Sequence, residues 1–346
     1  MHVFLAMAAA AGVMTSSPSA HDRGAIVGYV AAFKELDRVI AQGGFGNYTQ
    51  LDLAFVNPTP SGEVLGPGGL ACSPAGNGAM VSDAQLRQLV SAAHRAGTKV
   101  VASLGGATIP PCGGDWRNLA APEMRTKVVA NLVAMVDRYE LDGIDVDLEG
   151  ELMTDIDRAR NYTPFVNALA EQLHARSKVL TAATGSYPGG MIPDSSLPFF
   201  DLIGIMSYDQ VGPTWGEKGG EHSTYAQAEK DLALWIGKGV PANRLALGVP
   251  FYGRGFGTYR EGWSLKDISD SFGDRQLKRD IVADATAAAS YITYNGLPTL
   301  ERKAELAGAW GAGVMVWEIG QDLPDARAIR HIDAAYRKGR ANARRR

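Results

Sequence analysis

Eight short apolar runs, rich in β-branched residues, recur along the chain at 25–30, 51–56, 99–104, 143–148, 179–184, 202–207, 245–249 and 313–317. Runs that are apolar at successive positions read as strands buried on both faces, as in a parallel sheet covered by helices. Stretches of helical period separate them, at 82–96, 122–139, 163–176, 224–238, 297–310 and 325–336. Ser82 caps the first of these and Gly97 stops it, while Pro122 opens the second. The helices expected after the first and fifth runs are poorly written. Eight such units in one domain-sized stretch predict an α/β fold, a closed (β/α)8 TIM barrel, in preference to an open doubly wound sheet. The chain of 346 residues holds it as a single domain, since such barrels take roughly 250 residues.

The fourth run carries the chemistry. Leu141 to Gly150 reads L-D-G-I-D-V-D-L-E-G. Side chains alternate across a strand, so Asp145, Asp147 and Glu149 share one face and Ile144, Val146 and Leu148 the other. In a barrel the acidic face is the interior, and Glu149 lies at the C-terminal mouth, where barrel enzymes keep their catalytic groups. Carboxylates side by side and out of water oppose one another's ionisation, so some must be protonated or hydrogen-bonded at neutral pH. An acid that keeps its proton near pH 7 is what acid-assisted cleavage of a glycosidic bond requires. Two metal readings compete. D-x-D-x-E-G resembles the start of an EF-hand loop, but its twelfth position is Ile156, and the intervening apolar residues suit a strand better. A magnesium site of clustered carboxylates stays open. A purely structural cluster is disfavoured, because a barrel built for stability alone fills these positions with Val, Ile or Leu.

Hydrophobic content of 46% and charged content of 21% suit a soluble protein with a large core. A net charge of −3 gives no reason to expect nucleic acid or an anionic membrane as partner. The one basic concentration, Arg337 to Arg346, reads as a solvated, frayed end, with the barrel over 21–338 and the tail over 339–346. Residues 1–20 read as a secretory leader: an apolar run from Val3 to Met14, then small and polar residues to Ala20. No Lys or Arg precedes the run and Pro18 stands close to the cleavage point, which weigh against it. The expectation is a secreted or periplasmic monomer. Cys72 and Cys112, both in Gly/Pro-rich loops, permit one disulfide, with two unpaired loop thiols as the alternative. The six histidines are scattered singly, leaving no zinc site. Residues 251–294 depart from the barrel rhythm and predict an elaborated loop after the seventh strand, with a short helix near 280–289 and no full α+β insertion domain.

D-G-I-D-V-D-L-E resembles the signature of glycoside hydrolase family 18, the chitinase and endo-β-N-acetylglucosaminidase family. The resemblance spans nearly the whole barrel. Ser103-Leu104-Gly105-Gly106 resembles the family's S-x-G-G on the third strand, and Met206-Ser207-Tyr208-Asp209 its M-x-Y-D on the sixth. Gly248 to Arg254 resembles the stretch at the seventh, and G-V-M-V-W-E, ending at Trp317-Glu318, the eighth. Several motifs in the family's order make the resemblance specific. It implies substrate-assisted retention without metal or organic cofactor, acting on polymers that contain N-acetylglucosamine. Glu149 would be the acid, Asp147 would orient the acetamido group, Asp145 would support Asp147 by a shared hydrogen bond, and Tyr208 would donate to the acetamido oxygen. Trp317 would form the floor of the sugar pocket. Tyr29, Phe55, Gly105, Gly106, Met206, Asp209, Tyr252 and Arg254 are the further expected sugar-binding positions. Trp116, Trp215 and Trp263 follow strands, where aromatics stack on sugar rings, and Trp215 is expected to do so; Trp235 and Trp310 read as helix core. Ala107 stands where many chitinases carry Trp, which leaves open cleavage of N-glycan cores or peptidoglycan-type chains. A non-catalytic sugar binder is the third possibility, and retention of Glu149 counts against it.

Overall fold

The computed structural model describes residues 24–345 except 77, 218 and 284–288. The expected leader at 1–20 lies outside the described residues. The barrel strands are β1 (Ile26–Ala31), β2 (Gln50–Val56), β3 (Lys99–Gly106), β4 (Gly143–Leu148), β5 (Val179–Thr184), β6 (Leu202–Ile205), β7 (Leu245–Pro250) and β8 (Gly313–Trp317). They form one closed sheet in sequence order, every neighbouring pair parallel, sealed by β1 against β8 with Ile26 opposite Val314. Alternate side chains of each strand fill the interior, and the others pack outward on the helices.

Helix boundaries follow local chemistry. Ser82 and Gln85 form a reciprocal capping box at the start of Asp83–Arg95, and Thr224 caps Tyr225–Gly237. The poorly written first helix is a short one, Leu36–Gln42, and after β5 there is only a 3-10 turn, Asp194–Phe199, which contains Pro198. Strand six ends two residues earlier than expected. The Ser207 N–H turns back to the Ile205 carbonyl at 2.8 Å, which takes Met206 to Asp209 out of the sheet and into the mouth.

Two expectations need correction. Residues 281–283, expected as helix, form a strand (Ile281–Ala283) paired with Tyr291–Thr293, as two β-branched residues favour; 284–288 lie outside the described residues. With Tyr252–Gly255 and Gly262–Ser264 they make a four-stranded antiparallel sheet, so the elaborated loop after β7 is folded. The tail is not frayed from 339, because the last helix runs Arg327–Ala343 and buries Gly339. This helix lies directly on Leu297–Trp310, and glycines make the approach possible. A Cβ at Gly308 would stand 2.3 Å from the Tyr336 carbonyl oxygen, and one at Gly339 would stand 2.2 Å from that of Glu305. The tryptophan assignments also change. Trp116 is buried with its indole N–H on Asn57, Trp263 packs among Tyr259 and Phe272, and Trp310 is 40% exposed, while Trp235 is core. Cys72 and Cys112 are joined by a disulfide, their Cα atoms 5.5 Å apart.

Gly308→Ala gains up to about 1 kcal/mol of helix propensity. Overpacking against unyielding backbone costs about 1–3 kcal/mol, so the clash wins. The variant is expected to unfold at lower denaturant concentration with an unchanged m-value; a midpoint at or above wild type would show that the two helices are not held apart by that glycine.

Candidate active site

Strand β4 delivers Asp145 and Asp147 into the barrel interior, and Glu149 follows directly as the cap position of helix Gly150–Arg158. Asp145 is held by three hydroxyls. Tyr29 and Ser103 donate to Oδ2 at 2.8 and 2.7 Å, and Thr181 donates to Oδ1 at 2.8 Å. Register explains two of them, since Ser103 on β3 and Thr181 on β5 flank Asp145 laterally, while Tyr29 reaches across from β1. Burial pushes the Asp145 carboxyl up, and the three hydroxyls pull it back.

Asp147, 2% exposed, has a fully buried Oδ1 with no hydrogen-bond partner. Burial first, then the charges of Glu149, Asp145 and Asp52, raise it well above the ordinary carboxylate range. The shared hydrogen bond expected between Asp145 and Asp147 is not formed; the donors to Asp145 are the hydroxyls of Tyr29, Ser103 and Thr181. Asp145 therefore acts on Asp147 through its charge. Glu149 is raised to about 7, by burial and then by the charge of Asp209.

Asp52 was not singled out from the sequence. It lies on β2 beside Tyr29, is 2% exposed, and accepts a 2.7 Å hydrogen bond from Gln50 Nε2. Burial and the Asp145 charge push it well above the usual range. Asp145 accepts three hydroxyls where Asp52 has Gln50 and a weaker share of Tyr29, so burial pushes Asp52 up further than it pushes Asp145. The signal was present but short: Q-L-D-L alternates polar and apolar residues as the fourth strand does, before Ala54 and Phe55 end the pattern.

Glu149 and Asp147 open onto a cleft of about 480 Å³ at the C-terminal mouth. Phe55, Met206, Tyr208, Asp209, Tyr252, Arg254 and Trp317, all named from the sequence, line it beside Ala107, together with Phe33 and Pro110, which were not named. Trp317 is its aromatic centre, 5.3 Å from Tyr29 and 5.6 Å from Phe55, with Phe33 stacked beyond at 6.3 Å. Three expected sugar contacts stand behind the wall instead. Tyr29 is 1% exposed and bound to Asp145. Gly105 and Gly106 have φ of +93° and +89°, and a Cβ there would meet the Asp147 carbonyl and the Phe55 ring at 2.5 Å each, so they shape the cleft without lining it.

A second depression adjoins the first through Met206, Tyr208 and Asp209, and continues to Tyr187 and Trp215. Arg254 grips Asp209 with Nε and Nη2 at 2.9 and 2.6 Å and lies over the rings of Trp215 and Tyr252. Against burial, the His222 ring, 3.5 Å away, and then the Arg254 pairing hold Asp209 well below the usual carboxylate range. Its fixed negative charge in turn helps Glu149 keep a proton. Among the described residues no group of three or more His, Cys, Asp and Glu is arranged to hold a metal ion.

Raising the Glu149 pKa from 4.5 to about 7 means that the folded state binds more protons than the unfolded chain between those values. Stability contributed by this group is therefore present below about pH 4.5, declines as pH rises, and is fully lost above about 7. Glu149→Gln removes that loss, so it is expected to be more stable than wild type at pH 8 by on the order of 2 kcal/mol, with the gain shrinking toward pH 4. Denaturant unfolding at the two pH values measures it; equal differences at both would show that Glu149 is not proton-shifted.

The chain and its fold match known proteins. The model for "Glycosyl hydrolases family 18" covers residues 25–322. A chitinase-like effector of Moniliophthora roreri is 32% identical over 247 residues, covering 63% of this chain and 55% of that protein. Probable chitinase 10 of Drosophila melanogaster is 22% identical over 299 residues, covering 71% of this chain and 13% of that protein. The chain thus spans little more than half the length of the first of these relatives and a small part of the second. Among solved structures, the chitinase ChiB from the chitin utilization locus of Flavobacterium johnsoniae superposes with a TM-score of 0.74 at 29% identity, covering 90% of this chain and 94% of that one. A chitinase from Bacteroides thetaiotaomicron shares the fold, with a TM-score of 0.71 at 20% identity and coverage of 90% and 96%. The chain belongs to glycosyl hydrolase family 18.

Proposed function

We propose that this protein hydrolyses β-1,4 linkages between N-acetylglucosamine units of chitin or chito-oligosaccharides by substrate-assisted retaining catalysis. The observation that carries the reading is the pairing of a carboxyl poised near neutrality, Glu149, with a buried carboxyl oxygen of Asp147 that has no protein partner, both facing one aromatic-floored cleft. An unpaired buried oxygen costs about 1–3 kcal/mol, which a substrate N–H would relieve.

The sugar bearing the scissile bond lies on Trp317. Glu149 gives its proton to the glycosidic oxygen as the bond from the anomeric carbon breaks, and the electron pair leaves with that oxygen. The acetamido oxygen of the same sugar forms a bond to the anomeric carbon, its N–H directed by Asp147 and its oxygen held by the Tyr208 hydroxyl. Glu149, now a carboxylate, takes a proton from water as the water oxygen attacks the anomeric carbon and the bond from that carbon to the acetamido oxygen breaks, which opens the oxazolinium-type ring and restores the acetamido group. Two inversions leave the β-anomer. Retention of all three carboxylates favours catalysis over sugar binding alone.

A second substrate has one observation in its favour. Ala107 lines the cleft where an aromatic would grip a chitin chain, which suits N-glycan cores or peptidoglycan-type chains. Product analysis on chitin oligosaccharides beside a high-mannose glycopeptide decides between them.

Glu149→Gln is expected to bind oligosaccharide as wild type does and to lose at least about a thousandfold in kcat. More than about a tenth of wild-type kcat would remove Glu149 from the acid role. For wild type, kcat/KM should fall about tenfold per pH unit above 7, where the acid is no longer protonated. Fully deacetylated oligosaccharide should resist cleavage, and NMR should show the β-anomer first. Initial α-anomer, or equal turnover of the deacetylated chain, would point to a conventional carboxylate pair.

A further inference from the structure

Behind the Tyr208–Asp209 wall lies a buried lysine that this chemistry does not use. Lys303, on helix Leu297–Trp310, is 0% exposed. Its ammonium donates to the Ser223 carbonyl at 2.9 Å, to Ser223 Oγ at 2.7 Å and to Asn295 Oδ1 at 2.8 Å. Lysine has three donors and no acceptor, so this set satisfies the charged form. Burial pulls the group down to about 7. None of the three hydrogen-bond partners is a carboxylate, and although Asp280, Asp231 and Glu221 favour the ammonium by charge, burial outweighs them; an apolar chain of similar length would fill the space without that cost. Packing alone does not account for it.

The surroundings do. Ser223 Oγ donates to the Ser207 carbonyl at 2.7 Å. The preceding carbonyl, His222 O, accepts the Gln210 N–H at 3.1 Å, and the His222 ring, fully buried, stands 3.5 Å from Asp209 Oδ1. Residues 222 and 223 therefore grip the chain on both sides of Tyr208 and Asp209, at 207 and at 210. Asn295 adds a 2.7 Å bond to the Ser223 carbonyl, and Lys303 ties both together. The gripped segment has left the sheet, and Asp209 has φ +58°, a left-handed backbone that needs support from outside.

We propose that Lys303 is a positioning residue: through Ser223 and Asn295 it fixes Tyr208 and the Asp209–Arg254 pair in the cleft. The inference rests on the reading that Tyr208 holds the acetamido group. Its test compares Lys303→Met with wild type on a chito-oligosaccharide, normalised to folded protein, alone and combined with Tyr208→Phe. Lys303→Met is expected to lower kcat about thirtyfold with KM changed less than about threefold, and the loss should shrink to under about threefold once Tyr208 is Phe. Unchanged kcat per folded molecule, or an equal loss in the Tyr208→Phe background, overturns the proposal, since a merely structural lysine would lower Tm and no more. If Lys303→Met does not fold, Ser223→Ala breaks the bond to Ser207 and is held to the same criteria. Calorimetric binding of a chitobiose thiazoline separates the two readings. A wild type that neither cleaves the chito-oligosaccharide nor binds the thiazoline removes the functional reading and this one together; a Lys303→Met protein as active as an active wild type removes only the role of the lysine.

Discussion

Everything at the mouth depends on keeping carboxyl groups out of water inside a closed sheet. Asp52, Asp145 and Asp147 are each no more than 2% exposed, and Glu149 sits just above them. Mutual repulsion and desolvation would unfold such a stack if all four ionised. The barrel prevents this by giving its donors unequally. Asp145 receives hydroxyls from three different strands, whereas Asp52 receives one amide and Asp147 Oδ1 none. The donors therefore favour charge on Asp145 over Asp52 and Asp147, whose carboxyls burial pushes up further. Only a closed sheet brings β1, β3 and β5 to bear on one side chain of β4, so the electrostatics of the site are a product of closure.

The two walls of the cleft are built differently. On the β1, β2 and β8 side, Phe33, Phe55, Trp317 and Tyr29 form a continuous run of ring contacts, rigid because aromatic packing leaves little rotamer freedom. On the β6 and β7 side the wall is polar, and its backbone has left the sheet. Its rigidity comes from the Asp209–Arg254 fork, the turn at 222–223 and the lysine behind it. The folded segment after β7 contributes Tyr252 and Arg254 to the cleft and Asn295 to the brace, so its short sheet anchors the polar wall.

The sequence by itself determined the barrel, the strand that carries the acids and the mouth as their location. These follow from local periodicity: apolar runs name the strands, and alternation on one strand names the face that Asp145, Asp147 and Glu149 share. The family resemblance, and not periodicity, pointed to Tyr208, Arg254 and Trp317, which lie at or a few residues past the ends of their barrel strands. The tertiary structure alone decided which carboxyl bonds to what. Tyr29 was expected against the sugar and instead serves Asp145, because reach across a barrel depends on register between strands distant in sequence. The Asp145–Asp147 hydrogen bond was expected and gave way to hydroxyls from β1, β3 and β5 for the same reason. Lys303 lies in a helix expected from the sequence but was not singled out there, and only the packing of three separate segments around it shows that it is buried. Local pattern fixes what a residue's own segment does, while non-local contact fixes who its neighbours are, and the pKa values that matter here are set by neighbours.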